Sequence, residues 1–291
     1  MTILETVLLW FLGMPLFDSL CHTFGTLATG GFSIKNTSIG YYEQASIQWV
    51  ITIFTFLSGA NFALYYQALR GRSLKAFWRN EEFRFYSAVV LVATALIAFN
   101  TSSLFSSIEE LIRTSAFQVV SIITTTGYST ADFNLWPYMS QALLVMLMFV
   151  GGCSGSTSGS IKVGRILILL RQGVLEIRKL IHPRAVFSLK IGGKNISNEL
   201  VSNVMQFFFL YVVIFAISGI AMTAMGLDLK DAFTSVAATF GNVGPGLGLV
   251  GPAGNYSMIT SQGKLLLSFL MLLGRLEIYT VFVMFSPSLW E

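Results

Sequence analysis

Charge is scarce in this chain. Asp, Glu, Lys and Arg make up 11% of its 291 residues and 54% are hydrophobic, against roughly 25% charged in soluble domains. A composition so poor in ionised groups excludes an ordinary soluble domain and points to a polytopic, all-α membrane protein. Cysteine is nearly absent. Cys21 and Cys153 lie in apolar surroundings with no CxxC spacing, which excludes a disulfide framework and leaves two packed free thiols. The two histidines, His22 and His182, are far apart and have no carboxylate or cysteine at ligand spacing, so no transition-metal site is expected. The apolar segments hold no paired carboxylates or histidine clusters, which removes the acid–base groups a membrane-embedded enzyme needs. A formal charge of +4 is too slight to signal nucleic acid. The first residues carry no basic run and no small-residue cleavage site follows, so no signal peptide is expected. Thr6 to Met14 is apolar but too short for ~30 Å of hydrocarbon at ~1.5 Å per residue, and reads as the end of a spanning helix.

What the chain does contain is a repeated loop. Thr124-Thr125-Thr126-Gly127-Tyr128-Ser129-Thr130 follows the amphipathic run Ile108 to Ile123 and precedes a long apolar segment. Ala28-Thr29-Gly30-Gly31-Phe32-Ser33 and Gly241-Asn242-Val243-Gly244-Pro245 occupy equivalent places, after short helices at Pro15 to Leu27 and Asp228 to Phe240. Proline and aspartate suit a first helical turn. Full spans are expected over Ile47 to Gln67, Phe85 to Phe99, Leu200 to Met225 and Lys264 to Phe285. Another, Tyr138 to Leu170, is interrupted by Gly151-Gly152-Cys153-Ser154-Gly155-Ser156-Thr157-Ser158-Gly159-Ser160. The order helix, half-helix, glycine loop, helix recurs about every 120 residues, which divides the chain into units 1–70, 71–182 and 183–291. Half-helices ending in irregular backbone at membrane depth are tolerated only inside protein or along a water-filled cavity. Three of them imply one shared aqueous axis.

Orientation follows from the basic residues. Arg70, Arg72, Lys75, Arg79 and Arg84 fill one connector and Arg171, Arg178, Lys179, Arg184, Lys190 and Lys194 the other, eleven of the 18 in the chain. Positive connectors lie in the cytoplasm, so connectors 70–84 and 171–194 are placed inside and the glycine loops enter from outside. The loops hold no acid, as a cation path needs if ions are also to leave, and their backbone carbonyls can replace a hydration shell. The expected ion-binding residues are Thr29, Gly30 and Gly31; Thr125, Thr126 and Gly127; and Asn242, Val243 and Gly244. The negative ends of the short helices would favour a cation there. The polar break at 151–160 is expected to be a gate below these loops, with Lys162 facing water or carbonyls. Arg275, deep in the last apolar span, is expected to project into the pore below the loops, since an intramembrane arginine is costly. Glu277 is two residues on and faces elsewhere on a helix.

Five segments carry a resemblance: LFDSLCHTFGTLATGGFS, TTTGYSTADFNLWP, GGCSGSTSGSIKVGR, FGNVGPG and LLGRLEIYTVFVMFSP. On these the chain resembles the Trk/Ktr/HKT superfamily of potassium transporters, most closely its bacterial TrkH/TrkG branch. The resemblance implies four tandem repeats around a pseudo-fourfold pore in the bacterial inner membrane, with filter glycines at Gly31, Gly127 and Gly244. It also implies that 151–160 is an intramembrane gating loop and Arg275 the pore arginine. Potassium is then the bound ion. The implied partners are a second copy of the chain and a cytoplasmic TrkA-type ring, the separate subunit on which NAD or ATP would bind. Ser158 and Ser160 stand where the family's loop is often glycine. Only three filter loops are present, so the first repeat is expected to be missing and the chain is expected not to conduct alone. A secondary transporter of a small solute with discontinuous helices is the alternative reading; it predicts inverted repeats and a substrate pocket.

Overall fold

The computed structural model describes residues 1–284 apart from Leu74, Val186 and Glu277. The expected end of the last span at Phe285 and the remark on Glu277 therefore lie outside the described residues. In the first unit α1 (Thr2–Phe11) packs on α2 (Leu16–Leu27), and α3 (Ala45–Ser58) and α4 (Phe62–Gly71) follow. The second contains α5 (Lys75–Arg79), α6 (Glu81–Thr101), α7 (Ile108–Ile123), α8 (Tyr138–Val150) and α9 (Val163–Ile181). The third contains α10 (Asn198–Ala224), α11 (Leu229–Phe240), α12 (Ser261–Leu276) and α13 (Ile278–Met284). Between them the second basic connector folds an antiparallel hairpin, β1 (Lys190–Ile191) and β2 (Lys194–Asn195), around Gly192 and Gly193, both at positive φ. That hairpin is the one regular strand pairing among the described residues.

Each short helix is wedged between neighbours: α2 between α1 and α3, α7 between α6 and α8, α11 between α10 and α12. Their sequences suit the wedge. Asp18 and Asp231 sit in first turns of α2 and α11, and Glu109 and Glu110 in that of α7, where the exposed N–H groups favour negative charge. The last turns of α7 and α11 are apolar or hydroxylic and buried, whereas that of α2 leaves Phe24 exposed. In α7 Phe117 through Ile123 are all buried, because α3 covers it as well. In the third unit Phe240, at the end of α11, stacks on Tyr211 of α10 with ring centroids 4.1 Å apart and is fully buried.

The span expected as one helix over Ile47 to Gln67 is not one. α3 and α4 meet at a 92° bend across Gly59–Asn61. The cause is a tertiary contact. The Gly59 carbonyl accepts the Cys153 N–H at 2.8 Å, and the Asn61 side chain restarts the helix by accepting the Ala63 N–H at 2.8 Å. The last apolar span is likewise divided, into α12 and α13. Among the described residues only Glu81–Leu104 and α10 are helices long and apolar enough to cross a membrane unbroken; each bent pair can supply a further crossing.

Phe240→Ala is expected to remove a stacked, fully buried ring and to cost about 3–5 kcal/mol of stability. A fall in the unfolding midpoint of the detergent-solubilised protein measures it, and an unchanged midpoint would refute the packing role.

Candidate functional site

The three short helices end in one and the same way. In α2 the Thr29 N–H bonds to the Thr26 carbonyl at 3.1 Å and the Gly30 N–H to the Gly25 carbonyl at 2.8 Å. In α7 the pairs are Thr125 to Ile122, 3.0 Å, and Thr126 to Ser121, 2.9 Å. In α11 they are Asn242 to Thr239, 3.0 Å, and Val243 to Ala238, 2.7 Å. This is a Schellman cap, whose residue just past the helix must take the left-handed conformation. Glycine normally fills that place, yet here it is held by Thr29 (φ 49°), Thr125 (φ 56°) and Asn242 (φ 55°). A β-branched threonine at positive φ is strained and persists only where its surroundings fix it. Two residues later Gly31, Gly127 and Gly244 again have positive φ, at 65°, 80° and 108°.

The loops also touch each other in chain order. A Cβ on Gly31 would strike the Thr126 carbonyl, and one on Gly127 would strike the Val243 carbonyl, whereas one on Gly244 would meet nothing. The Tyr128 hydroxyl donates to the carbonyls of His22 at 3.2 Å and Phe32 at 3.3 Å, fastening the second loop to the first. Asn134 and Gly248 exchange two hydrogen bonds, of 2.8 and 3.2 Å, fastening the second unit to the third. The second loop is thus enclosed on both sides, and the side between Gly244 and Gly31 is open. A cavity of about 760 Å³ lies there, lined by Thr29, Gly31, Thr126, Gly127, Asn242 and Gly244, with Arg275 at its edge. Among the described residues the carbonyls of Gly30, Gly31, Thr126, Gly127 and Val243 accept no hydrogen bond. The Gly244 carbonyl accepts from the Tyr256 hydroxyl at 2.6 Å. Uncommitted carbonyl oxygens can serve as cation ligands, and three helix C-termini aimed at them add negative potential.

Under the loops lies the break between α8 and α9, from Gly151 to Lys162. It reaches all three caps. The Thr157 hydroxyl donates to the Leu27 carbonyl at 3.0 Å, and the Gly159 N–H to the Thr125 hydroxyl at 2.6 Å. A Cβ on Gly159 would press on the Gly241 carbonyl. Ser160 and Lys162 have φ of 61° and 78°, so the segment carries strain of its own. Two cations hold it. Lys162 donates to the carbonyls of Ser156 and Ser158, and Arg275 to that of Thr157 at 2.8 Å. Arg275 is exposed, not enclosed among helices, and together with Lys162, Ser158 and Gly274 it lines a second cavity of about 200 Å³ below the segment. Gly152, Cys153, Ser154 and Gly155 lie farther along, against α3, α4 and α6. Cys153 is buried and Cys21 half-buried, both as free thiols.

At the outer end of α2 the Asp18 carboxylate accepts from the Tyr42 hydroxyl at 2.5 Å and pairs with Lys35 at 3.2 Å. The Tyr42 bond first, then Lys35, hold its pKa below the usual carboxylate range. One residue escaped the sequence reading altogether. Glu5 is fully buried in α1, and neither of its oxygens has a hydrogen-bond partner among the described residues. Thr26 stands near it but donates to the His22 carbonyl instead, at 2.8 Å. A lone acid within Thr2–Phe11, an otherwise apolar run, was the available signal.

Comparison with known proteins follows this geometry. The family described as TrkH, cation transport protein, matches residues 2–291. The chain is 42% identical over 295 residues to the Trk system potassium uptake protein TrkH of Escherichia coli (strain K12), covering all of this chain and 60% of that protein. It is 36% identical over 280 residues to the Trk system potassium uptake protein TrkG of the same organism, covering 96% of this chain and 58% of the relative. The crystal structure of the potassium transporter TrkH from Vibrio parahaemolyticus superposes with a TM-score of 0.94 at 37% identity, over all of this chain and 62% of that one. The chain thus spans about 60% of the length of the curated relatives it matches.

Arg275→Ala is expected to speed amide exchange across 156–160 by about tenfold, the effect of losing one charge-assisted hydrogen bond, and to leave 229–240 unchanged. Equal exchange in both proteins would show that the arginine does not hold the segment.

Proposed function

Because this chain belongs to the TrkH family of cation transport proteins, we propose that it supplies three quarters of a potassium-uptake pore in the bacterial inner membrane. The observation that carries the reading is the set of three identical helix caps that present unbonded carbonyls to one cavity. In this reading units 1–70, 71–182 and 183–291 each contribute one filter strand. Thr29 to Gly31, Thr125 to Gly127 and Asn242 to Gly244 replace water around a dehydrating potassium ion. The ion is cargo, not a resident cofactor. The open side beyond Gly244 is where a fourth strand would close the ring, in keeping with the greater length of the relatives.

Residues 151–160 act as the gate. They lie across the path under all three caps, and Lys162 and Arg275 hold them there. Their positive charge also discourages a cation from resting below the filter. The basic connectors 70–84 and 171–194 face the cytoplasm by the positive-inside rule. They offer a docking surface for a TrkA-type ring carrying NAD or ATP, and the transporter is read as a homodimer. The alternative, a solute transporter with inverted repeats, is disfavoured because the three half-helices run the same way into the same cavity.

Gly127→Ser places a side chain against the Val243 carbonyl. In the whole transporter it is expected to lower potassium-over-sodium selectivity by about tenfold, a cost of ~1.4 kcal/mol at the filter. Flux assays with each ion read this out; unchanged selectivity would refute the filter assignment.

A further inference from the structure

The break between α8 and α9 is held in two distinct ways along its length. Its second half, 156–160, hangs from the filter caps and from Lys162 and Arg275. Its first half is tied to the bend between α3 and α4 and to the start of α9. The Cys153 N–H bonds to the Gly59 carbonyl at 2.8 Å, the Phe62 N–H to the Gly155 carbonyl at 3.1 Å, and the Val163 N–H to the Gly152 carbonyl at 2.9 Å. Among the described residues one side chain joins this base to α6. Glu82 Oε1 accepts the Ser154 N–H at 2.6 Å.

That bond brings a charged side chain to the base, and its setting is built for it. A Cβ on Gly164 would come within 2.5 Å of the Ser154 hydroxyl and 2.8 Å of the same Glu82 oxygen, so glycine at the start of α9 makes room for both residues. Negative charge is favoured there, at the N-terminal end of α9. Glu81, the neighbouring carboxylate, is committed elsewhere. It accepts from Arg171 and from the Gly192 N–H at 2.7 Å, fastening the hairpin. Two adjacent acids in the first turn of α6 therefore serve two different segments.

We propose that Glu82 is the positioning residue of the gate: its hydrogen bond to Ser154 fixes the base of the loop, so that only 156–160 can swing from beneath the filter. The inference rests on the reading of 151–160 as the gate. With the base fixed, the caps and the two cations find the loop in register and the closed arrangement prevails. With the base released, residues 151–155 gain freedom in the open arrangement and closure weakens.

The test is potassium and sodium flux through the whole transporter in cells lacking other potassium-uptake systems, with the amount of protein in the membrane measured alongside. Glu82→Ala is expected to raise unstimulated potassium flux by about tenfold, the equilibrium shift of one charge-assisted hydrogen bond, with the potassium-to-sodium ratio unchanged. Glu82→Gln keeps an acceptor oxygen at the same reach but loses the charge, and is expected to fall between parent and Ala, at about threefold. Glu81→Ala, which frees the hairpin alone, serves as the control at parent flux. If Glu82→Ala fails to reach the membrane, Glu82→Asp, one methylene short of Ser154, carries the same expectation at about threefold. Parent-like flux in Glu82→Ala, a Gln variant as leaky as Ala, or flux and selectivity falling together would each overturn the proposal. Failure of the underlying reading looks different: the parent itself would show no potassium selectivity, or Gly127→Ser would leave that selectivity intact.

Discussion

A helix that stops in the middle of a bilayer leaves carbonyls with no water to bond to, and the whole structure answers that constraint. Each of α2, α7 and α11 closes its last turn with two backbone bonds that force the next residue into the left-handed region. That reversal turns the following carbonyls away from the helix and toward the shared cavity. The strain at Thr125 is tolerated because loops press on its strand from both sides, and that at Thr29 is met by the second loop on one side, as the contacts of Gly31 and Gly127 show. At Gly31 and Gly127 glycine is required because a side chain would strike the next loop's carbonyl.

The loop between α8 and α9 answers the same constraint from below. Its hydroxyls and N–H groups satisfy cap atoms that would otherwise face hydrocarbon, while its own carbonyls are bonded by Lys162 and Arg275. Polar backbone at this depth is stable where it borrows partners from another unit, as Thr157 does from Leu27 and Arg275, or lines a cavity. The cost shows elsewhere. The helix over 45–71 bends by 92° so that the Gly59 carbonyl can serve the loop.

Much of this was legible residue by residue. The short helices, their acidic first turns and the glycine loops follow from apolar periodicity, helix-end chemistry and the φ that glycine permits, all set within a dozen residues. The helix over Ile108–Ile123 falls where the pattern put it, and the one expected over Asp228 to Phe240 begins one residue later, at Leu229, with Asp228 as its N-cap. The bend at Gly59–Asn61 was not legible, because its cause is Cys153, far along the chain. Nor was the burial of Glu5, since a lone acid in an apolar run reveals nothing of what packs over it.

By itself the sequence determined that the chain lives in a membrane, which connectors carry positive charge, and where three helices must stop short. Those are properties of local composition and backbone geometry. Tertiary structure alone decided which loop neighbours which, that Thr157 reaches Leu27 across 130 residues, that Arg275 binds a carbonyl 118 residues away, and that Glu82 and not Glu81 meets Ser154. The reason is physical. A cap is dictated by the residues that form it, but a hydrogen bond between units depends on the packing of whole helices, and no local pattern encodes that.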